Sequence, residues 1–298
     1  MELTRFSNDE LAKLLPFPAA DANKYTRGRL IAMVGSAAYP GAACLSARAA
    51  ERMGAGYVEV VTDEEAFLPI HLASSSLVVR SWSRFKAATW PALRLGHPVA
   101  YLVGSGFDSA DETSVQRTRQ VLKRAKAPVV VDGGGLDALV AEKTARIVAQ
   151  RVEDGFDTVI TPHMGEAARL AKPLGISTED PAQLSLDLAR AYQVVVLLKG
   201  PVSYISDGKK AIAMDKGSSV LAKAGTGDVL AGMVSALLAQ GLSACDACIL
   251  AATLHAYAGS IAAKCIGEIG VIASDVIGAI GPAIDELDNV ESACNQAL

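Results

Sequence analysis

Short, almost continuously apolar segments alternate along the chain with helix-forming segments, and this alternation most restricts the possible fold. The apolar, β-branched segments are Leu30–Val34, Tyr57–Thr62, Val99–Val103, Pro128–Asp132, Thr158–Thr161 and Val194–Leu198. Amphipathic or Ala-rich segments separate them, notably Ala42–Met53, Thr113–Lys126 and Pro181–Tyr192. Strands without polar alternation are typical of a sheet that helices cover on both faces. The sequence therefore predicts an α/β fold.

The second half of the chain departs from this alternation. Val202–Ser206 and Lys210–Met214, joined through Asp207-Gly208-Lys209, predict the one clear β-hairpin. From Asp228 to about Leu287 the pattern is mostly helical. Since no low-complexity linker or internal repeat divides the 298 residues, we expect a single domain over residues 1–298.

Composition argues against several classes of function. The net charge is −4 and no Lys/Arg cluster stands out, which argues against a nucleic-acid partner. The N-terminus lacks the apolar core of a signal peptide, and Gln240, Asp246 and His255 interrupt the most apolar region. We therefore expect a soluble, cytoplasmic protein with no membrane partner.

The five cysteines do not have the spacing of a disulfide framework. Cys245 and Cys248 form a C-x-x-C, but they fall in an Ala-rich helical segment without a second pair. A redox or zinc role is one interpretation. Burial as small apolar side chains is the interpretation that this setting favours.

Glycine-rich or polar segments follow five of the six predicted strands. They are Gly35-Ser36, Gly104-Ser105-Gly106, Asp132-Gly133-Gly134-Gly135, Thr161-Pro162-His163-Met164-Gly165-Glu166 and Lys199-Gly200-Pro201-Val202-Ser203. In open α/β sheets ligands bind beyond the carboxyl ends of the strands. One such segment is ordinary turn chemistry, but five in succession predict a single ligand crevice.

The stretch Lys223-Ala224-Gly225-Thr226-Gly227-Asp228 precedes an apolar helical segment, and it is the most informative motif in the chain. The amides of Ala224, Gly225, Thr226 and Gly227 would lie at a helix N-terminus, where the dipole favours an anion. A carboxylate there suits phosphoryl transfer, with Asp228 taking a proton from a hydroxyl while the amides hold the phosphoryl group. The alternative is a helix N-cap formed by Thr226 or Asp228.

The charged and histidine residues of the other segments have plausible separate roles. Lys199 suits a phosphate, and the alternative is a solvated strand end. Asp132 and Glu166 are candidates for holding Mg²⁺ through water, and the alternative is helix capping. His163 either hydrogen-bonds a substrate amide or hydroxyl, or satisfies the local backbone. His255, in an Ala-rich helix, is typical of a packed core histidine.

The ordered set of motifs resembles the NAD(P)H-hydrate dehydratases. The matching elements are Thr161-Pro162-His163-Met164-Gly165-Glu166, Leu198-Lys199-Gly200, and the stretch from Lys223 to Gly232, with Tyr39-Pro40-Gly41-Ala42-Ala43 and Gly54-Ala55-Gly56-Tyr57-Val58 earlier in the chain. The resemblance covers about residues 25 to 285. It implies the ribokinase-like three-layer sandwich, in which helices flank a mostly parallel sheet. Many bacterial members also carry an epimerase domain, and we expect none in this chain because its length leaves no room for one.

The resemblance also implies an activity and a set of site residues. Hydrated NADH or NADPH would be dehydrated with ADP or ATP as co-substrate and Mg²⁺ as cofactor, and Asp228 would be the catalytic base. Residues implied to contact the nucleotide are Lys199, Gly200, Pro201, Val202, Ser203 and Gly227. Residues implied to contact the hydrated dinucleotide are Ala42, Gly106, His163 and Asp228.

Some points stay open at this stage. The chain has Tyr25-Thr26-Arg27-Gly28 where the family usually has His-Lys-Gly, and we expect Arg27 to keep a positive charge near the entrance of the site. A kinase of a small vitamin-precursor alcohol and a non-catalytic nucleotide-binding protein are the alternative functions. We expect a homo-oligomer. The helices of Val229 to Ile280 would form either its interface or the ordinary core of this chain.

Overall fold

A nine-stranded sheet forms the centre of the protein. The computed structural model describes residues 6–85, 90–109 and 111–295, with side chains up to residue 289. The strands are β1 (Arg29–Met33), β2 (Tyr57–Thr62), β3 (Val78–Ser81), β4 (Val99–Val103), β5 (Val129–Val131), β6 (Thr158–Ile160), β7 (Val195–Leu198), β8 (Ser203–Ser206) and β9 (Ala211–Met214). Their order in the sheet is β3-β2-β1-β4-β5-β6-β7-β8-β9. Strands β1 to β7 pair in parallel, whereas β8 and β9 form the predicted antiparallel hairpin.

Helices cover both faces of this sheet. They are α1 (Asn8–Ala12), α2 (Pro40–Arg52), α3 (Phe67–Ala73), α4 (Glu112–Arg124), α5 (Glu142–Glu153), α6 (Met164–Ala171), α7 (Pro181–Tyr192), α8 (Thr226–Ala239), α9 (Ala244–Ile266), α10 (Ala273–Gly278) and α11 (Ile280–Asn295). One apolar core lies between the sheet and α2, α8 and α9, and the other lies between the sheet and α4 to α7. The predicted three-layer sandwich with a mostly parallel sheet is therefore confirmed.

Helices α8 and α9 lie inside the first core. Almost every residue of α8 is buried, and α9 is buried over most of its length. By length and composition α9 could cross a membrane, but 56% of its most apolar window is buried inside the protein. The apolar composition of α8 and α9 thus serves the core of this chain, and it is not evidence for an interface with a second copy.

Glycine allows α8 to pack directly on α2. A Cβ added to Gly232 would lie 2.2 Å from the carbonyl oxygen of Ser46. Since Cβ atoms do not approach backbone oxygens so closely, only glycine fits at this crossing. The close contact sets the spacing between α2 and α8, whose N-termini both lie at the carboxyl edge of the sheet.

The sequence did not reveal every element. The short edge strand β3 was missed because its apolar run is only Leu77-Val78-Val79, between three serines and Arg80. Helices α1, α3 and α5 were also missed. The buried residues of α5 are Thr144, Val148 and Arg151, of which only Val148 is apolar, so a pattern of apolar residues does not reveal this face.

The expectation for Arg27 was wrong. Arg27 and Gly28 precede β1 and so lie at the amino edge of the parallel strands, where Gly28 packs on the carbonyl of Ala239 at the last residue of α8. Helix α8 has 14 residues, so this edge lies about 20 Å from the loop that begins the helix. Arg27 donates a hydrogen bond to the carbonyl of Gly54 and has a structural role there.

We expect the substitution Gly232→Ala to lower the free energy of unfolding by about 1–3 kcal/mol, because the new methyl group meets the backbone of Ser46. Gly281→Ala in α11 is the matched control, since nothing lies within 4 Å of the added Cβ. Alanine there should be neutral or stabilise by up to about 1 kcal/mol. Urea unfolding measures both, and equal effects would contradict the close contact.

Candidate active site

Lys199 is the centre of the candidate site. It follows β7, and its backbone N–H donates to the carbonyl of Pro162 at 2.8 Å, which extends the pairing of β6 and β7. Its ammonium group donates to Asp132 Oδ1 at 2.9 Å and lies 4.0 Å from Glu166 Oε2. Only 17% of the side chain is exposed, so the interpretation of Lys199 as a solvated strand end is wrong.

Asp132 is held by donors from three strand ends. Thr161 Oγ1 donates to its Oδ1 at 2.7 Å, and Ser105 Oγ donates to its Oδ2 at 2.9 Å. Burial acts to raise the pKa of this carboxyl group, but Lys199 and the hydrogen bonds outweigh burial and hold the pKa below its usual value. Burial likewise acts to lower the pKa of Lys199, and the carboxylates of Asp132 and Glu166 raise it instead. The two groups therefore form a buried ion pair.

His163 and Glu166 cap helix α6 reciprocally. His163 Nδ1 accepts hydrogen bonds from the amides of Gly165 and Glu166 at 3.0 and 3.2 Å. Glu166 Oε2 accepts one from the His163 amide at 2.7 Å. The capping alternative thus holds for Glu166, and the local-backbone alternative holds for His163. The ring of His163 still has 58% of its surface exposed and can meet a ligand.

The loop before α8 leaves the N-terminus of the helix without a side-chain cap. Gly225 precedes the helix with φ of +90°, a conformation that favours glycine, and no side chain caps the helix there. Thr226 Oγ1 instead donates to the carbonyls of Leu221 and Lys223, so the N-cap alternative is not observed. A Cβ on Gly227 would lie 3.3 Å from Lys199 Nζ. The open amide end of α8 and the ammonium group therefore lie side by side.

Asp228, in the first turn of α8, lies among these charges. Burial and the carboxylates of Asp132 and Glu166 raise its pKa to about 7, although Lys199 acts in the opposite direction. A carboxyl group with this pKa exchanges a proton near neutral pH, which is the property a general base needs.

A cavity of about 600 Å³ opens beside Lys199 and the α8 loop. The predicted residues that line it are His163, Lys199, Gly200, Pro201, Ser203, Ala224, Thr226 and Gly227. The segment from Met214 to Lys223 forms another wall. Val202, Gly225 and Asp228 do not line it; the position of a Cβ on Gly225 faces Leu45 and Ala273.

His255 also belongs to the wall of this cavity, together with Ala252, Thr253 and Ala256 of α9. The side chain is only 7% exposed, as expected for a core histidine, and burial lowers its pKa to about 4, so the ring is neutral. Sequence periodicity does not distinguish a buried helix face that meets a cavity from one that meets other side chains. For this reason the sequence did not place His255 at the site.

Ala42 and Gly106 are in contact at the same carboxyl edge of the sheet, a few strands away from Lys199. A Cβ on Gly106 would lie 2.7 Å from the Cβ of Ala42, and the Gly106 carbonyl accepts a hydrogen bond from Ser36 Oγ at 2.9 Å. Ala42 lies in the first turn of α2, which no side chain caps. The two residues stand together, outside the walls of the cavity beside Lys199.

The described part of the chain holds no group of three or more His, Cys, Asp or Glu side chains that could bind a metal ion. Cys245 is half-buried and burial raises the pKa of its thiol to about 11, while Cys248 is fully buried. A thiol with so high a pKa is a poor nucleophile and metal ligand. Packing therefore accounts for both cysteines.

The chain is similar to proteins of one family over most of its length. A family model described as NAD(P)H-hydrate dehydratase matches residues 30–281. A bifunctional NAD(P)H-hydrate repair enzyme of Moorella thermoacetica is 33% identical over 88% of this chain and 50% of its own length. An ADP-dependent (S)-NAD(P)H-hydrate dehydratase of Xanthomonas campestris is 29% identical over 91% of this chain and 93% of its own. The chain thus spans about half the length of the bifunctional relatives.

Solved structures of similar fold include an ADP/ATP-dependent NAD(P)H-hydrate dehydratase from Bacillus subtilis, co-crystallised with ATP and Mg²⁺. Its TM-score is 0.82 at 24% identity, over 96% of this chain and 99% of that one. A ribokinase is among the other proteins of similar fold, which confirms the ribokinase-like architecture.

The raised pKa of Asp228 has a consequence for stability. The folded state keeps a proton that the unfolded state loses above about pH 4, so the stability contribution of this group falls as the pH rises toward 7. Asp228→Asn has no such dependence. We expect the melting temperature of the variant, relative to the unchanged protein, to rise between pH 5 and pH 8. A difference that does not change with pH would contradict the raised pKa.

Proposed function

Because the chain belongs to the NAD(P)H-hydrate dehydratase family, we propose that it converts (6S)-hydrated NADH or NADPH back to the reduced cofactor, with ADP or ATP as phosphoryl donor. The product of the donor is AMP or ADP, together with free phosphate. The relatives named for this activity over nearly their whole length support the proposal.

One observation supports the chemistry most directly. A carboxyl group with a pKa of about 7, Asp228, lies beside a buried ammonium group and the uncapped N-terminus of α8. Phosphorylation of a hydroxyl group needs a base for its proton and, next to that base, a positively polarised site for the phosphoryl group. A protein that only binds a nucleotide does not need a base there.

The donor nucleotide would occupy the cavity beside Lys199. Its walls offer backbone groups of Gly200, Pro201 and Gly227, the ammonium of Lys199, and small apolar side chains of α9. Lys199 attracts the phosphates as a fixed charge, because its pairing with Asp132 holds its position. The cavity volume of about 600 Å³ is of the size that nucleotide-sized ligands occupy.

The hydrated dinucleotide would lie on the other side of Asp228. Ala42 and Gly106 pack closely together there, and the ring of His163, which lines the donor cavity, is exposed. This placement brings the hydroxyl group on C6 of the nicotinamide ring between the base and the phosphoryl donor.

The reaction then needs two steps. Asp228 takes the proton of the C6 hydroxyl as its oxygen attacks the terminal phosphoryl group of the donor, and the amides of the α8 loop stabilise the charge on the transferred group. The lone pair of the ring nitrogen next expels phosphate from C6. Loss of the proton from C5 restores the double bond and the dihydronicotinamide. Hydroxide is a poor leaving group, and phosphorylation removes that difficulty.

The residues fit a magnesium ion only if the donor phosphates supply most of its ligands. Mg²⁺ is commonly held by one or two carboxylates together with substrate phosphates and water. Both oxygens of Asp132 already accept hydrogen bonds, so Glu166 is the better placed of the two predicted carboxylates. When bound, the ion neutralises charge on the phosphate oxygens.

Three further expectations stay predictions. They are the cytoplasmic location, the organisation of residues 1–298 as a single domain, and a homo-oligomeric state. The burial of α8 and α9 within this chain means that an oligomer would need another surface.

We expect Asp228→Asn to lower turnover about 100-fold or more, because the hydroxyl group loses its base. The measurement is absorbance at 340 nm with hydrated NADH, Mg²⁺, and ADP or ATP in separate samples. The affinity for the nucleotide, measured by calorimetry, should change little. The exposed carboxylate of Glu142 on α5 provides the control variant Glu142→Gln, which should keep full activity.

A variant Asp228→Asn with near-normal turnover would contradict the role of the base. If the unchanged protein gives no rise in absorbance with either donor, the proposed substrate is wrong. A phosphate that stays on some other alcohol would then indicate a small-molecule kinase.

The kcat/KM of the unchanged protein should also fall about tenfold per pH unit below pH 7, since only the ionised carboxylate is a base.

A further inference from the structure

An ion pair between Asp63 and Arg117 occupies the carboxyl edge of the sheet beyond Ala42 and Gly106. Arg117 Nη2 of α4 donates to Asp63 Oδ1 at 2.8 Å, and the Ala37 amide lies 3.4 Å from Asp63 Oδ2. Asp63 follows β2 directly, and Ala37 lies in the loop after β1. Neither the activity nor the resemblance gives these two side chains a role.

The carboxylate of Asp63 is oriented by tertiary contacts and not by its own helix. Asp63 precedes the short helix Glu64–Ala66 but makes no side-chain cap to it. Arg117 is fixed in turn, because its guanidinium group lies 4.7 Å from the centre of the Trp82 ring, and that ring packs on Phe107. Phe107 is the residue after Gly106. Packing therefore connects the pair to the predicted dinucleotide site.

Both side chains of the pair are also accessible. Asp63 is 23% exposed and Arg117 is 22% exposed, so each keeps a free surface although most of it is packed. A half-buried, oriented ion pair is well suited to recognising a charged or hydroxylated ligand, since its groups do not have to be reorganised on binding.

The order of the strands indicates which part of a ligand reaches this pair. The nucleotide cavity lies at β7 to β9, and the reaction centre lies near the ends of β5 and β6. With the donor on that side, a dinucleotide extends the other way, over β4, β1 and β2. Strand β2 is three strand positions from β5, about 14 Å at 4.8 Å per strand. A nicotinamide held at the reaction centre thus places the second nucleoside of the dinucleotide near Asp63.

On the basis of the proposed function, we propose that Asp63 and Arg117 select hydrated NADH over hydrated NADPH at the ribose of that second nucleoside. The carboxylate of Asp63 accepts hydrogen bonds from a ribose 2′-hydroxyl group. The same carboxylate repels a 2′-phosphate. Carboxylates after the second strand of a βαβ unit perform this selection in dinucleotide-binding folds, where an arginine accepts the 2′-phosphate instead.

The two members of the pair act in opposite directions. Asp63 neutralises Arg117 and keeps the guanidinium group from pairing with a phosphate. Removing the carboxylate therefore frees a positive charge for the 2′-phosphate, whereas removing the guanidinium leaves an unpaired negative charge that repels it more strongly. A purely structural ion pair has no such opposite effects, because loss of either partner breaks the same contact.

The test is the dissociation constants of the unhydrated products NADH and NADPH, measured by calorimetry on the intact protein. We expect the unchanged protein to bind NADH at least tenfold more tightly than NADPH. Asp63→Asn should move the ratio of the two constants at least tenfold toward NADPH. Arg117→Gln should move it further toward NADH, and Glu142→Gln on α5 should not move it.

Equal affinities in the unchanged protein, or a ratio that neither variant moves, would overturn the proposal. A shift in the same direction for both variants would overturn it as well. Because these constants need no turnover, they separate this proposal from the proposed function. Failure to dehydrate either hydrate, with the expected ratios intact, would leave the selection standing and refute the reaction.

Discussion

The buried ion pair between Lys199 and Asp132 is the interaction around which the candidate site is organised. Burying a lone ammonium or carboxylate group is costly, and it becomes tolerable only when the two are paired and their remaining polar atoms are satisfied. Thr161 and Ser105 complete that requirement for Asp132. The resulting network ties together the ends of β4 to β7 and fixes a positive charge beside the open end of α8. Burial, together with the carboxylates of Asp132 and Glu166, also raises the pKa of Asp228 to about 7.

This arrangement depends on the direction of the strands. Because β1 to β7 run in parallel, all their carboxyl ends meet at one edge, and the loops that follow them lie in one row. The antiparallel hairpin of β8 and β9 adds a wall at one end of that row, where Ser203 and Met214 line the cavity. Helices α2 and α8 reach the row with their N-termini, and the contact between Gly232 and Ser46 sets the distance between them. The cavity beside Lys199 and the contact between Ala42 and Gly106 are therefore positioned by the same core.

Individual residues show which features of the protein can be predicted from the sequence. The apolar strands were located because buried parallel strands need continuous β-branched runs, whereas β3, an edge strand, has too short a run to be noticed. The turn at Gly225 and the Asp228 position followed from residue types alone. The partners of Asp132 and Glu166 could not be predicted from residue types. A carboxylate after a strand has the same local sequence pattern whether it binds a metal, caps a helix or pairs with a lysine. Arg27 was misplaced because its expected position followed the family motif, although a residue that precedes β1 lies at the amino edge of the parallel strands.

By itself, the sequence determined the α/β class, the row of loops at the strand ends and the residue types available for phosphoryl transfer, since periodicity and glycine placement are local properties of the chain. The tertiary structure alone decided the strand order, the pairing of Lys199 with Asp132 and the position of His255 in the cavity wall. It also raised the pKa of Asp228 and brought Asp63 to Arg117 across 54 residues. These features depend on distances and burial between segments remote in sequence, which fix both the Coulomb energies and the access of water.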